Sequence, residues 1–218
     1  MSVIEIDIVS DVVCPWCAVG YGNLKHAIEE LGDQCDVKIR WRAFELNPHM
    51  GSDGQEIVEH LMEKYKIDEA QVKANKERLI QVGQEAGIEF KFEQRSRIYN
   101  TFDSHRLLHW ADVTAPEQQT PLKEALFLAY FNRGEDISNH EVLLEIVAGV
   151  GLPVNEAKDI LESDRYEQDV RTEQSQYQQM GIQAVPAFII NQKYLINGGQ
   201  PKAAFIEALT QVNHEQSV

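Results

Sequence analysis

The chain opens with a strict alternation of apolar and polar residues. In "VIEIDIV", Ile4, Ile6 and Ile8 share one face and Glu5 and Asp7 the other, the period of two that sends successive side chains to opposite sides of a strand. From Pro15 the period lengthens. Leu24, Ala27, Ile28 and Leu31 follow the i, i+3, i+4, i+7 stripe of an amphipathic helix, and Gly32 stands where such a helix stops. "DVKIRW" returns to alternation, with Val37, Ile39 and Trp41 set against Lys38, Arg40 and Arg42, and predicts a second strand closing in "ELNP" at Pro48. Right-handed crossover geometry makes the two strands of such a strand-helix-strand unit parallel.

Beyond Pro48 the pattern is helical, with almost no strand signal. Asp53 with Glu56, Asp68 with Gln71, and Ser138 with Glu141 have capping-box spacing, and Thr120 before Pro121 reads as an N-cap with proline at the first helical position. Apolar stripes follow: Ile57, Leu61, Met62 and Tyr65; Leu122, Ala125, Leu126, Ala129 and Tyr130; Val142, Leu143, Ile146 and Val147. Phe127, Tyr130 and Phe131 read as core, and Gly87, Gly134 and Gly151 sit where helices would stop. After a polar helix through "RYEQDVRTEQSQYQQM", Gly181 ends the block. A hairpin of Ala187 to Asn191 and Tyr194 to Ile196 is expected next, then a last helix burying Phe205, Ile206 and Leu209. The predicted class is α/β, β-α-β before and β-β-α after a large all-α insertion. Residues 1–48 form the first half, 49–180 the helical insertion and return helix, and 181–218 the second half.

Composition narrows the functional classes. With 218 residues, 43% hydrophobic and 25% charged, the chain is an ordinary globular one. A formal charge of −15 argues against phosphate backbones and anionic lipid as partners, so nucleic acid and membrane are excluded. The N-terminus "MSVIEIDIVSDVVC" lacks a basic segment leading into an apolar core, and the expected location is cytoplasmic. Three cysteines do not make a disulfide framework, and in a reducing compartment a close pair points to redox chemistry or a metal.

That pair is Cys14 and Cys17, in "SDVVCPWCAVGYGN". Residues three apart share a helix face, so two thiols at this spacing reach disulfide distance when the first sits at the helix mouth. Unpaired backbone N–H groups and the positive end of the helix dipole favour a thiolate on Cys14. One turn further in, Cys17 is expected to be more shielded, as suits a resolving thiol. Pro15 fits the first helical position, and Trp16 is expected to stand partly exposed beside the sulfurs as an apolar contact surface. Two other readings compete. Both cysteines would pack in a strand-to-helix corner, or they would supply half a metal site, for which the chain offers no second Cys-x-x-Cys and no finger-spaced His pair. The metal call is therefore none. Cys35 reads as a lone structural or surface thiol.

The Cys-x-x-Cys after the first strand, the helical insertion, and Val185-Pro186 before a late apolar strand together resemble the thioredoxin-fold DsbA family, and in particular its FrnE-like branch. "FELNP", "HRLLHWA", "LFLAYFNRGEDIS", "GIQAVPAFIIN" and "GGQP" extend the resemblance over nearly the whole chain. It implies a thiol–disulfide oxidoreductase, with disulfide isomerase activity also open, acting on a disulfide- or dithiol-containing substrate such as a protein. No cofactor is bound, and glutathione is available as a redox partner. It further implies a cis Val185–Pro186 bond lying against the cysteines, with Val185 offering its backbone to an extended substrate segment. Kappa-class glutathione transferases and 2-hydroxychromene-2-carboxylate isomerases are related. They define an alternative, a glutathione-dependent transferase or isomerase, although they usually carry serine at the nucleophile's position. A non-enzymatic peptide-binding or chaperone-like module is the other alternative. By resemblance the start of "NTFDSHRLLHWA" faces the cleft, so Asn100 and His105 become candidate substrate-binding residues, with Arg106 and His109 nearby. Ser10 and Asp11 precede the nucleophile as candidate helix caps or tuners of its charge.

Overall fold

In the computed structural model, which describes residues 3–216, the opening alternation becomes β1 (Val3–Ser10), with Ile4, Ile6 and Ile8 buried. The helical stripe becomes α1 (Pro15–Leu31), closed by Gly32 in a positive-φ conformation. Next, β2 (Asp36–Ala43) runs parallel to β1, from Val3 opposite Asp36 to Ser10 opposite Ala43. It ends at Ala43 rather than Pro48. Beyond it the Leu46 N–H bonds the Asp11 carboxylate at 2.7 Å instead of a ladder partner, so "ELNP" becomes a loop pulled towards the β1–α1 turn.

The helical stretch runs β3 (Gln55–Glu56), α2 (Ile57–Tyr65), α3 (Glu69–Glu85), β4 (Arg97–Ile98), α4 (Phe102–Thr114), α5 (Pro116–Asn132), α6 (His140–Gly149), α7 (Val154–Leu161) and α8 (Glu167–Gln179). The β3–β4 ribbon was not expected; pairs this short, Gln55 with Ile98 and Glu56 with Arg97, leave no alternation to read. Of the three capping boxes, Asp68 with Gln71 forms in full. Elsewhere the cap falls on another residue: Glu56 itself receives the Glu59 N–H, and Asn139 rather than Ser138 receives those of Glu141 and Val142. Nor does Thr120 cap a helix. Pro116 takes the first position of α5, and Pro121 stands inside it, where the carbonyl it leaves free belongs to exposed Glu117. Thr120 instead accepts from the Trp41 indole at 3.0 Å. Met62 and Tyr65 of the expected α2 stripe are 38% and 53% exposed.

The chain then returns as β5 (Ala187–Ile190), β6 (Tyr194–Asn197) and α9 (Lys202–Gln216), with Phe205 and Leu209 buried and Ile206 half-buried. In the three-residue loop 191–193, Asn191 and Gln192 both have positive φ, and the Lys193 N–H closes the turn on the Ile190 carbonyl at 3.0 Å. The sheet order is β2-β1-β5-β6, with β5 antiparallel to β1 and to β6. The fold is thus the α/β arrangement expected, with helices inserted between its halves. One sheet face buries Ile4, Ile6 and Ile8 against Leu24 of α1 and Phe205 and Leu209 of α9. The other collects Val9, Phe44, Ile182, Ala187 and Ile189 under Tyr177 of α8.

The edge of β2 is closed by side chains. Gln119 of α5 accepts from the Trp41 N–H and donates to the Trp41 carbonyl, both at 2.9 Å, as a neighbouring strand would. Gly20 decides how closely α1 approaches the β5 loop. A Cβ there would come within 2.9 Å of the Phe188 ring and 3.2 Å of Pro186, so a larger residue would push the loop away from the cysteines.

Candidate active site

The strand-to-helix turn carries Cys14 as the N-cap of α1 and Pro15 as its first residue. The Cys14 carbonyl accepts from the Cys17 N–H at 3.1 Å, so the first turn places the two sulfurs side by side on one face. Both are thiols in this structure. Cys17 is fully buried and Cys14 is 4% exposed, so the expected contrast between an open and a shielded thiol narrows to a small aperture at Cys14. The Cys17 thiol is pushed well above the ordinary thiol range by burial and then by its hydrogen bond to Cys14 and by charge on Cys14; Lys123 and the Asp11 backbone act in the opposite direction.

The opposite wall comes from the β5 loop. The Val185–Pro186 peptide is cis, and the Cys14 thiol approaches the Val185 carbonyl at 3.8 Å. Val185 is half-buried and Pro186 buried. Trp16 is half-buried, as expected, with the Arg78 guanidinium of α3 5.6 Å from its ring centre and the Gly198-Gly199 turn passing close to its backbone. Outside the aperture lies α2. Lys64 donates to the Leu46 carbonyl at 2.8 Å and to Asn47 at 2.7 Å, and both Lys64 and Tyr65 feel charge on Cys14. Tyr65, read from the sequence as core, therefore stands at the rim of the site.

Two expected substrate contacts are spent elsewhere. Asn100 donates to the Met50 carbonyl at 3.0 Å and accepts from the Phe102 N–H at 2.9 Å, so its amide holds the loop entering α4. His105 is 2% exposed, too enclosed for a substrate carboxylate, and its Nε2 lies 3.3 Å from the Asp11 carboxylate. Arg106 is buried against carbonyls at the end of α7 and beyond, and the His109 ring lies tilted against that of Tyr166, 5.4 Å between centres. Ser10 is buried, and Asp11 does not cap α1 with its side chain. Burial opposes ionisation of Asp11, but the bond and charge of His105, the Leu46 N–H and the charge of Lys123 outweigh it and hold the carboxyl below its usual range.

Lys123 went unrecognised in the sequence. It is fully buried, its Nζ has no hydrogen-bond partner, and it lies 5.1 Å from the Trp41 ring centre and 5.0 Å from that of Phe127. A signal for it existed: Gln119, Lys123 and Phe127 are spaced four apart, so a lysine stands in the buried row of α5. Among the described residues no three His, Cys, Asp or Glu side chains are arranged to hold a metal, and no helix is long and apolar enough to cross a membrane.

The chain is similar to known proteins over nearly its whole length. The Bacillus subtilis protein YwbO is 29% identical over 209 residues, covering 95% of this chain and 96% of that one. A probable DsbA oxidoreductase from Streptomyces coelicolor superposes with a TM-score of 0.89 at 30% identity, covering 97% of this chain and 91% of the other. The cytosolic disulfide reductase DsbM from Pseudomonas aeruginosa, solved with GSH, shares the fold at 17% identity and a TM-score of 0.65 over 95% and 98% of the two chains. Residues 5–210 match the model of the DSBA-like thioredoxin domain, and the chain belongs to that family.

Proposed function

We propose that the protein is a thiol–disulfide oxidoreductase in which Cys14 exchanges with substrate and Cys17 resolves. The observation that carries the reading is the meeting of a helix-mouth thiol, its buried partner one turn inward, and the Val185 carbonyl 3.8 Å from the first sulfur. The Cys14 thiolate attacks a substrate disulfide, forming the Cys14–substrate bond and releasing one substrate thiolate. Cys17 then attacks Cys14, forming the Cys14–Cys17 disulfide and releasing the second substrate thiol; run backwards, the same steps oxidise a substrate dithiol.

Val185, at the mouth, presents main-chain groups on which an extended substrate segment lies as an added strand, with Trp16 as its apolar neighbour. That mode suits a polypeptide disulfide. Glutathione is the proposed small partner, in keeping with the GSH found in the Pseudomonas aeruginosa reductase of the same fold. The decisive experiment is Cys14→Ser in an insulin-reduction or glutathione-coupled disulfide assay. Activity is expected to fall on the order of a thousandfold or more, and Cys17→Ala is expected to accumulate a mixed disulfide visible by mass spectrometry. Turnover retained by the Cys14→Ser protein overturns the assignment.

A further inference from the structure

We propose that Lys123, carried into the site by α5, is the proton acceptor for Cys17: its neutral amine takes the Cys17 proton while a mixed disulfide is held on Cys14. The inference rests on the dithiol reading above and adds the group that makes the shielded thiol reactive.

Packing places the amine. The Trp41 ring is flanked by Tyr21 of α1, at 4.9 Å between ring centres, and by the Lys123 Nζ at 5.1 Å. Tyr21 stands four residues after Cys17, one turn along the same face of α1. Lys123 thus shares the Trp41 ring with the face of α1 that bears Cys17, and of the surrounding charges it feels Cys17 most, ahead of Asp11 and Cys14. The charged groups that act on it are Asp11 from the β1–α1 turn and Cys14 and Cys17 from α1, while Arg42 from β2, His105 and His109 from α4, and Glu173 from α8 line the small void it borders at the edge of the sheet. None accepts a hydrogen bond from its Nζ, since Asp11 is engaged by His105 and Leu46, and Glu173 by Arg42 and Ala43.

An unpartnered ammonium in this position has a structural cost, and an apolar side chain would fill the space more stably. Its chemical use is different. Burial lowers the lysine to about 8, near the range in which a general base both exists unprotonated and holds a proton well. The Nζ makes no hydrogen bond to Cys17 in the free dithiol form, so the Cys17 proton passes to it through one bridging water; the resulting thiolate, stabilised by the new ammonium, attacks Cys14. The Cys14–Cys17 bond forms, the Cys14–substrate bond breaks, and the departing substrate thiolate is reprotonated from the ammonium or from water.

The test uses the full chain, reduced, with excess DTNB in a stopped-flow instrument. The first thionitrobenzoate release scales with reagent and reports Cys14; the second becomes concentration-independent and reports Cys17. In the wild type the second phase is expected to rise with pH and level off near pH 8. In Lys123→Met the first phase changes less than threefold, whereas the second falls ~100-fold at pH 7.5 and keeps climbing above pH 8. Lys123→Arg, which keeps the charge and cannot give up its proton, is expected to be as slow as Lys123→Met. A folded Lys123→Met protein whose second phase stays within twofold of wild type overturns the proposal, as does full rescue by arginine; should the methionine variant not fold, Lys123→Gln is read by the same criteria. If the wild type itself releases one thionitrobenzoate only, the dithiol reading fails first and takes this one with it.

Discussion

Trp41 and Arg42 are neighbours in β2 and face opposite sides of the sheet, and each side holds a shielded cation in a different condition. On one side Arg42 is ringed by carboxylates: Asp7 at 2.7 Å, Asp112 at 2.9 Å and Glu173 at 3.3 Å. Burial works against its charge, but Asp7 and Glu173 prevail and drive the guanidinium further towards permanent protonation. A cleft of about 600 Å³ opens beside it, lined in part by Arg40, Tyr177 and Met180, and no thiol borders it. On the other side, Lys123 is fully buried with no hydrogen-bond partner and is lowered to about 8. The difference separates structure from chemistry. A saturated ion network stays in one charge state and holds β1, β2, α4 and α8 together, whereas an unsatisfied amine is poised to change state beside the only close pair of cysteines in the chain.

The comparison can be broken from either side. The largest effect on stability is expected from Arg42→Met, which leaves three carboxylates without their common cation. The loss is about 3–5 kcal/mol in urea unfolding, and a loss below 1 kcal/mol would show that the network is dispensable.

Lys123→Met is expected to act in the opposite direction. A lysine lowered in the fold binds fewer protons there than in the unfolded chain between about pH 8 and its ordinary value near 10.5, so wild-type stability rises with pH across that window. The methionine variant lacks this dependence. Its advantage, on the order of 3 kcal/mol at pH 7 from 1.36 kcal/mol per pH unit, is expected to shrink as pH climbs from 8 to 10.5. Equal stabilities at pH 7 would mean that Lys123 is solvated or paired in solution.

The smallest change sharpens the picture. Asp11→Asn removes an anion that supports the Lys123 charge, so the stability window and the second DTNB phase are both expected to start at lower pH than in the wild type. An unchanged onset would separate Asp11 from the lysine. Asparagine retains an oxygen for the Leu46 N–H, so the folding cost is expected to stay near 1 kcal/mol.

Much of this arrangement could be read along the chain. Ile4, Ile6 and Ile8 announced β1, the stripe from Leu24 to Leu31 announced α1, and Asn191 marked the hairpin turn, because each depends on a repeat of two or 3.6 residues or on local backbone preference. Asn100 and His105 became candidate substrate contacts by resemblance, which does not show where a side chain's hydrogen bonds go. The caps at Glu56 and Asn139 fell one to three places from those expected, since several polar residues in each stretch were chemically able to cap.

What the sequence determined by itself was the strand-helix junction at Cys14 and Cys17, the late hairpin, and a set of helices between them. These follow from local spacing. Only the tertiary structure decided that Asp11, His105 and Lys123, from three different segments, would lose their water together beneath that junction. Desolvation and charge coupling depend on distance in space and on what excludes solvent, and no periodicity along the chain encodes either.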